Sequence, residues 1–368
     1  MHAGRIRVLI VDDSALVRKV VTESLKPFHD IEVVGTAMDP YIARDKIRDL
    51  KPDVLTLDIE MPRMDGLTFL KLLMRHHPMP VIVMSSLTPA GSALAMEALE
   101  SGAVEVLCKP GSTYSAHEDG ARLAASIRAA AASRVARPAQ DRGTPLPDAP
   151  KPPPPTPRLA ATPNSCSRFH PRQLILLGAS TGGTEALRVV LGAMSADVPG
   201  ICIVQHIPSG FSAALADRLN RLSAMEVREA RDGDVVRPGM ALLAPGGLHM
   251  ILQWQTPHYV VQLNQGPPVH HQRPAVDVLF ESAVRAGGAA HTAAALLTGM
   301  GADGAAGLLK LRQHGAHTIA QNEETSVVFG MPKEAIRLGA ACDVLALEDI
   351  GPRLAQLSYA RRAERRTG

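Results

Sequence analysis

Short apolar runs alternate with stretches of helical period along most of the chain. "IRVLIVDD" precedes a helical face of Leu16, Val17, Val20, Val21 and Leu25, and "IEVVGTA" precedes Ala43, Ile47 and Leu50. Then come "VLTLD", a helix from about Leu67, "PVIVMSS", a helix through "ALAMEALESG", "AVEVLCKP" and a closing helix "GARLAASIRAAAAS". Five strands and five helices in strict alternation predict a parallel, doubly wound sheet, because each parallel connection needs a crossover element to return the chain.

After a break the alternation resumes with "QLILLGAS", a helix aligning Leu187, Val190, Leu191 and Met194, "GICIVQH", and a helix carrying Phe211, Leu215, Leu219 and Leu222. A strand-rich middle, "ALLAPGGLHMILQW" and "HYVVQLN", reads as antiparallel hairpins with glycine-rich turns. The α/β pattern returns in "VDVLFESAVRAG", "HTAAALLTGMG", "GAAGLLKLRQHG" and "HTIAQ". The expected class is α/β, with two doubly wound parallel sheets and an antiparallel hairpin insertion in the second, Rossmann-like one.

Composition places the break. "RPAQDRGTPLPDAPKPPPPTPRLAATPNS" holds a large share of the 29 prolines and predicts a semi-rigid, extended linker. It divides the chain into 1–132, a linker 133–171, a second domain 172–360 and a basic tail 361–368, two cores being what 368 residues suggest. At 46% hydrophobic and 20% charged residues the chain has ample apolar surface to bury. A net charge of +3 without a long basic stripe argues against nucleic-acid binding.

Cys108, Cys166, Cys202 and Cys342 show no metal or redox spacing and are expected as free thiols in a reducing compartment. The start "MHAGRIRVLIVDDS" lacks the pattern of a signal peptide, and no long apolar stretch follows. A cytoplasmic protein without membrane insertion is expected, as a monomer.

Asp12 and Asp13 close the first strand, Asp58 the third, Ser85 the fourth, and Lys109 the fifth. The carboxyl ends of parallel strands share one edge, so these groups converge. Clustered carboxylates repel unless a cation sits among them, and an all-oxygen set suits magnesium. A metal, a lysine and a hydroxyl around one aspartate suit phosphoryl transfer to that carboxylate, with Asp58 as acceptor. Taken singly, such acids could equally be helix caps.

"VLIVDDS", "VLTLDIEMPRMDGL", "VIVMSS" and "CKP" resemble the flavodoxin-like receiver domain of two-component response regulators, over about residues 5 to 130. The resemblance implies phosphorylation of Asp58 by a histidine kinase. It also implies magnesium held by Asp13, Asp58 and the Glu60 carbonyl with Asp12 in support, and a switch formed by Ser85 and Lys109. Val106 stands where receivers often carry an aromatic residue, so switching by an aromatic rotamer is not expected.

In the second domain "GASTG" fits G-x-S-x-G, a turn that exposes a serine hydroxyl above a sheet. By itself it leaves Ser180 open to three roles: helix cap, phosphate loop or nucleophile. His206 ends the next strand and Asp303 follows a later one, in "LLTGMGADGAAGL". Singly, the histidine could be a structural hydrogen-bonder and the glycines mere turn formers. Three such residues at parallel strand ends can share one crevice, which favours a serine activated by histidine and carboxylate. The order Ser, His, Asp differs from that of α/β-hydrolases. His249, His270 and His271 receive no role.

"GASTGGTEAL", "IVQHIPSGF", "LAPGGLHM", "RPAVDVLFESA", "LLTGMGADGAAGL" and "AQNEETSVVFGMPKEA" resemble the catalytic domain of the chemotaxis protein-glutamate methylesterase/glutaminase family, over about residues 172 to 350. The resemblance implies Ser180 as nucleophile, His206 as base and then acid, and Asp303 as orienting carboxylate. Thr181 and the Met300 amide are implied near the oxyanion. Asn322 is a departure from the aspartate of many relatives.

The implied reaction is cofactor-free hydrolysis of γ-glutamyl methyl esters on chemoreceptor helices, under control of receiver phosphorylation, with glutamine deamidation as a second activity of the same chemistry. The unphosphorylated receiver is expected to pack over the crevice. The implied partners are methylated chemoreceptors and a chemotaxis histidine kinase. The rival is a receiver-controlled binding module without hydrolysis.

Overall fold

A computed structural model describes residues 4–86, 88–109, 116–133 and 169–363. The proline-rich segment 134–168 and residues 364–368 lie outside the described residues, and so does Cys166.

The first domain alternates β1 (Ile6–Val11), α1 (Ala15–Leu25), β2 (Ile31–Ala37), α2 (Pro40–Leu50), β3 (Val54–Asp58), α3 (Gly66–His76), β4 (Val81–Ser85), α4 (Pro89–Glu100), β5 (Glu105–Cys108) and α5 (Ala116–Ala132). The strands are parallel in the order β2-β1-β3-β4-β5, the flavodoxin-like order expected. Helices start where short polar side chains take up free amides. Ser14 caps α1 at Val17, Asp39 caps α2 at Tyr41 and Ile42, and Asp65 caps α3 at Thr68. Every residue of β3 and β4 is buried, as for strands covered by helices on both faces.

The second domain contains β6 (Leu174–Ala179), α6 (Gly183–Gly192), β7 (Gly200–Gln205), α7 (Ser212–Leu222), β8 (Glu226–Glu229), β9 (Val235–Val236), β10 (Met240–Leu243), β11 (His249–Gln255), β12 (His258–Asn264) and α8 (Val276–Arg285). It continues with β13 (Thr292–Leu296), α9 (Ala305–Gln313), β14 (His317–Gln321), α10 (Met331–Arg337), β15 (Asp343–Leu345) and α11 (Leu347–Ala363). Seven parallel strands run in the order β15-β14-β13-β6-β7-β10-β8, and β11-β12-β9 form a separate antiparallel sheet. From β6 the chain first builds outward through β7 and later returns to the other side at β13. That reversal opens a crevice at the carboxyl ends of the central strands.

Three expectations need correction. "ALLAPGG" is not part of a hairpin: β10 pairs in parallel with β7 and β8, and only β11 and β12 form the antiparallel arms. The apolar run that suggested a hairpin arm is that of a fully buried parallel strand. β8 and β15 had no counterpart in the sequence pattern, since a short charged edge strand such as "EVRE" carries no apolar run. Helix α11 also runs through residues 361–363, which the basic composition assigned to the tail.

The two domains share buried apolar contacts. One continuous cluster runs from Leu70 and Met96 in the first domain to Leu187, Phe211 and Leu215 in the second. Val327 of the second domain packs against the cluster that the first sheet forms with α1 and α5.

Candidate active site

Ser180 follows the last residue of β6, and its surroundings exclude one of its three readings. The N-cap position of α6 belongs to Gly182, with no side-chain cap bond, so the Ser180 hydroxyl caps no helix. Gly182 sits at φ 78°, a left-handed conformation that glycine adopts freely, and a Cβ there would lie 2.6 Å from Val327 Cβ. The Ser180 amide donates to the Thr298 carbonyl at 3.0 Å. The Gln205 side chain donates to the carbonyls of Ser180 (2.8 Å) and His206 (3.1 Å), clamping the serine turn to the histidine turn.

His206 directly follows β7 and its amide bonds the Ala179 carbonyl, so the neighbouring strands hold it beside the serine turn. Its Nε2 lies 2.7 Å from Asp303 Oδ2, with both side chains almost wholly buried. Its Nδ1 is buried without a hydrogen-bond partner. No Ser180–His206 hydrogen bond is formed among the described residues.

Asp303 lies between β13 and α9, but it does not cap α9, whose N-cap is Gly304. Instead its carboxylate accepts the amides of Val276 (2.7 Å) and Asp277 (3.0 Å) at the start of α8. Burial pushes the Asp303 carboxyl up, but the His206 bond and those two amides outweigh it and hold the group below its ordinary value. Asp303 thus stays ionised next to the imidazole.

The loop after β13 passes close to the serine. A Cβ on Gly299 would lie 2.6 Å from Ser180 Cβ, so only glycine lets this backbone approach, and Met300 follows it. Thr181 is buried next to the serine, and its Oγ1 donates to Glu105 Oε2 of the first domain at 2.9 Å.

Sequence patterns did not mark Glu105 or Gln205. Glu105 meets the site only through domain docking, whereas Gln205 showed a faint signal as the polar end of the otherwise apolar "ICIVQ". His249 proves structural: it is buried and bonds the Ala275 amide and the Pro267 carbonyl. His270 contacts Asp277 at 3.2 Å.

Around Asp58, ligand atoms of Asp12, Asp13 and Asp58 all lie within 4.8 Å of one another. Lys109 Nζ is 2.6 Å from Asp58 Oδ2 and 3.5 Å from Asp12 Oδ2. Burial raises the Asp58 carboxyl to about 6 despite the lysine, which makes it a group that gains from added positive charge. The Glu60 amide donates to Asp58 Oδ1 at 3.0 Å. Ser85 Oγ, the expected switch hydroxyl, donates to the Gly91 carbonyl in α4 at 3.1 Å.

α4 and β5 cover the crevice. Met96, Leu99, Glu105 and Val106 line one cleft together with Ser180 and His206. The cover is fastened by Arg218–Glu100 (2.7 Å) and by Ser92 Oγ donating to the Gly210 carbonyl (3.1 Å).

Comparison with known proteins accounts for both halves. The family described as response regulator receiver domain matches residues 8–121, and that described as CheB methylesterase matches residues 175–354. Protein-glutamate methylesterase/protein-glutamine glutaminase 2 of Syntrophus aciditrophicus (strain SB) is 53% identical over 358 residues, 96% of this chain and 99% of its own length. The chain belongs to the protein-glutamate methylesterase/protein-glutamine glutaminase family.

A methylesterase/glutaminase of Anaeromyxobacter dehalogenans (strain 2CP-C) is 49% identical over 96% of this chain and 95% of its own. The solved CheB methylesterase catalytic domain of Thermotoga maritima is 38% identical, with a TM-score of 0.49, over 50% of this chain and 98% of that one. Membership of this methylesterase family disfavours a non-catalytic binding module. Among the described residues no helix is long and apolar enough to cross a membrane.

Proposed function

We propose that the chain hydrolyses γ-glutamyl methyl esters on the cytoplasmic helices of chemoreceptors, with deamidation of receptor glutamines by the same route, and that it works in the cytoplasm under receiver control. The observation that carries this reading is the buried His206–Asp303 bond at the strand ends flanking Ser180. A binding module would have no use for a buried, ionised carboxylate orienting an imidazole.

With the Nε2 proton donated to Asp303, Nδ1 is the lone pair available to Ser180. Ser180 Oγ attacks the γ-carbonyl and its proton passes to His206 Nδ1. The tetrahedral oxyanion forms beside Thr181 and the Met300 amide. Collapse expels methanol, or ammonia from glutamine, which takes the proton from His206 and leaves an acyl-serine. Water then repeats the sequence and releases glutamate and the free serine. Asp303 steadies the imidazolium at both stages.

Asp58 is the proposed phosphorylation site, with a chemotaxis histidine kinase as donor. The carboxylates of Asp12, Asp13 and Asp58 fit magnesium, since three oxygen ligands within 4.8 Å of one another are faced by the single charge of Lys109, and the Glu60 carbonyl completes the proposed set. The ion would neutralise phosphoryl charge there. Lys109 already lies against Asp58, and Ser85 would turn its hydroxyl from Gly91 toward the phosphoryl group. That exchange frees the start of α4, the helix whose Ser92 fastens the cover to Gly210. No cofactor enters the ester hydrolysis.

Mass spectrometry of methylated receptor peptides tests the chemistry. Wild-type protein should remove 14 Da per methyl ester at glutamyl sites, and Ser180→Ala should remove none. Full demethylation by Ser180→Ala would exclude the serine mechanism.

A further inference from the structure

The receiver places a glutamate in the crevice of an enzyme whose proposed product is a glutamate side chain. Glu105 opens β5, and its neighbours facing the same cleft, Met96, Leu99, Val104 and Val106, are apolar. A cover that worked by bulk alone would be served by such side chains throughout. A part-buried carboxylate is costly to place unless its oxygens find donors. Glu105 finds one in Thr181 Oγ1 at 2.9 Å, the hydroxyl adjoining the nucleophile.

We propose that Glu105 fills the subsite for the substrate's glutamyl side chain, making the receiver an internal product analogue, with the Thr181 hydroxyl as the donor that recognises the γ-carboxyl group. This rests on the hydrolysis proposed above. The match is chemical as well as spatial. The γ-ester, the oxyanion and the product carboxylate all present an oxygen to a donor beside Ser180, and Glu105 presents the same group from the same number of methylenes. While Thr181 is held by Glu105 it cannot serve a substrate, so the cover removes a donor as well as blocking access. Burial raises the Glu105 carboxyl against the opposing charge of Arg122 and bonds from Thr181 and Ser126, with the His206 ring also close enough to favour a negative charge. Of these groups Arg122 and Ser126 belong to α5 of the receiver and leave with it, whereas Thr181 and His206 belong to the second domain and stay for a substrate.

The test is methanol release from methylated receptor by the full chain, with and without acetyl phosphate and magnesium, using glutarate as the probe for the subsite. Without phosphorylation, Glu105→Ala should act about tenfold faster than wild type, the effect of one hydrogen bond. Glu105→Gln, which can still accept from Thr181, should rise less. Phosphorylated rates should match wild type, which controls for folding. Millimolar glutarate should inhibit unphosphorylated Glu105→Ala competitively, and Thr181→Val in that background should weaken the inhibition relative to KM.

An unchanged rate in Glu105→Ala, with loss of receiver stability, would make Glu105 a structural partner of Arg122 and overturn the proposal. A raised rate without glutarate inhibition would reduce Glu105 to a steric plug and overturn it equally. Activity surviving in Ser180→Ala would instead sink the proposed hydrolysis, a failure separable from the other two.

Discussion

His206 turns Nε2 to Asp303 and leaves Nδ1 unpartnered, so the proposed proton transfer from the serine uses Nδ1, the reverse of the arrangement in which Nδ1 faces the carboxylate. The chemistry is indifferent to which nitrogen does which, provided Asp303 fixes the tautomer. Nitrogen NMR of the resting enzyme should therefore find His206 protonated at Nε2 and bare at Nδ1. Asp303→Asn would put an amide before a ring that needs an acceptor, and kcat should fall roughly 10³–10⁴-fold with KM little changed. A result within tenfold of wild type would remove Asp303 from the mechanism.

Glu105 titrates at the same scale. Burial raises its carboxyl in the closed state, so closing takes up a proton. Closure is then fully supported below the ordinary glutamate value and weakens as pH rises through the raised one. Thr181, Ser126, Arg122 and His206 are the groups facing it. The basal advantage over wild type of both Glu105→Ala and Glu105→Gln should shrink as pH rises from that ordinary value, while the ratio of the two variants' basal rates, neither of which carries the carboxyl, should not track it.

At the scale of elements, strand ends do most of the positioning. Ser180, His206 and Asp303 were legible because each follows a strand whose apolar run can be read, and parallel strands bring their carboxyl ends to one edge. Gln205 was not, because its clamp depends on which carbonyls two turns present. Gln205→Ala should lower stability in urea by about 1–3 kcal/mol, since it strips donors from two buried carbonyls. β8 and β15 escaped the pattern because short, charged or half-exposed edges lack period. Within β7, burial pushes the Cys202 thiol up to about 12, whereas Cys342 is exposed. Iodoacetamide should label Cys342 in the native protein and Cys202 only after unfolding.

For the whole molecule, the proposed regulation rests on the docking of one domain on the other. The sequence offered the two domains but not their contact: Glu105 and Thr181 are 76 residues apart, and no periodicity connects them. Arg218, almost wholly buried, reaches across to the exposed Glu100, so Glu100→Lys should set like charges face to face. The basal rate should rise severalfold while the phosphorylated rate holds.

The most direct measurement is the initial rate of methanol release from methylated receptor by the full chain before and after acetyl phosphate, alongside Asp58→Asn and Ser180→Ala. The account predicts a low basal rate, a large rise on phosphorylation, no rise in Asp58→Asn and no release by Ser180→Ala. An equal response from Asp58→Asn, or a basal rate that already matches the phosphorylated one, would contradict it.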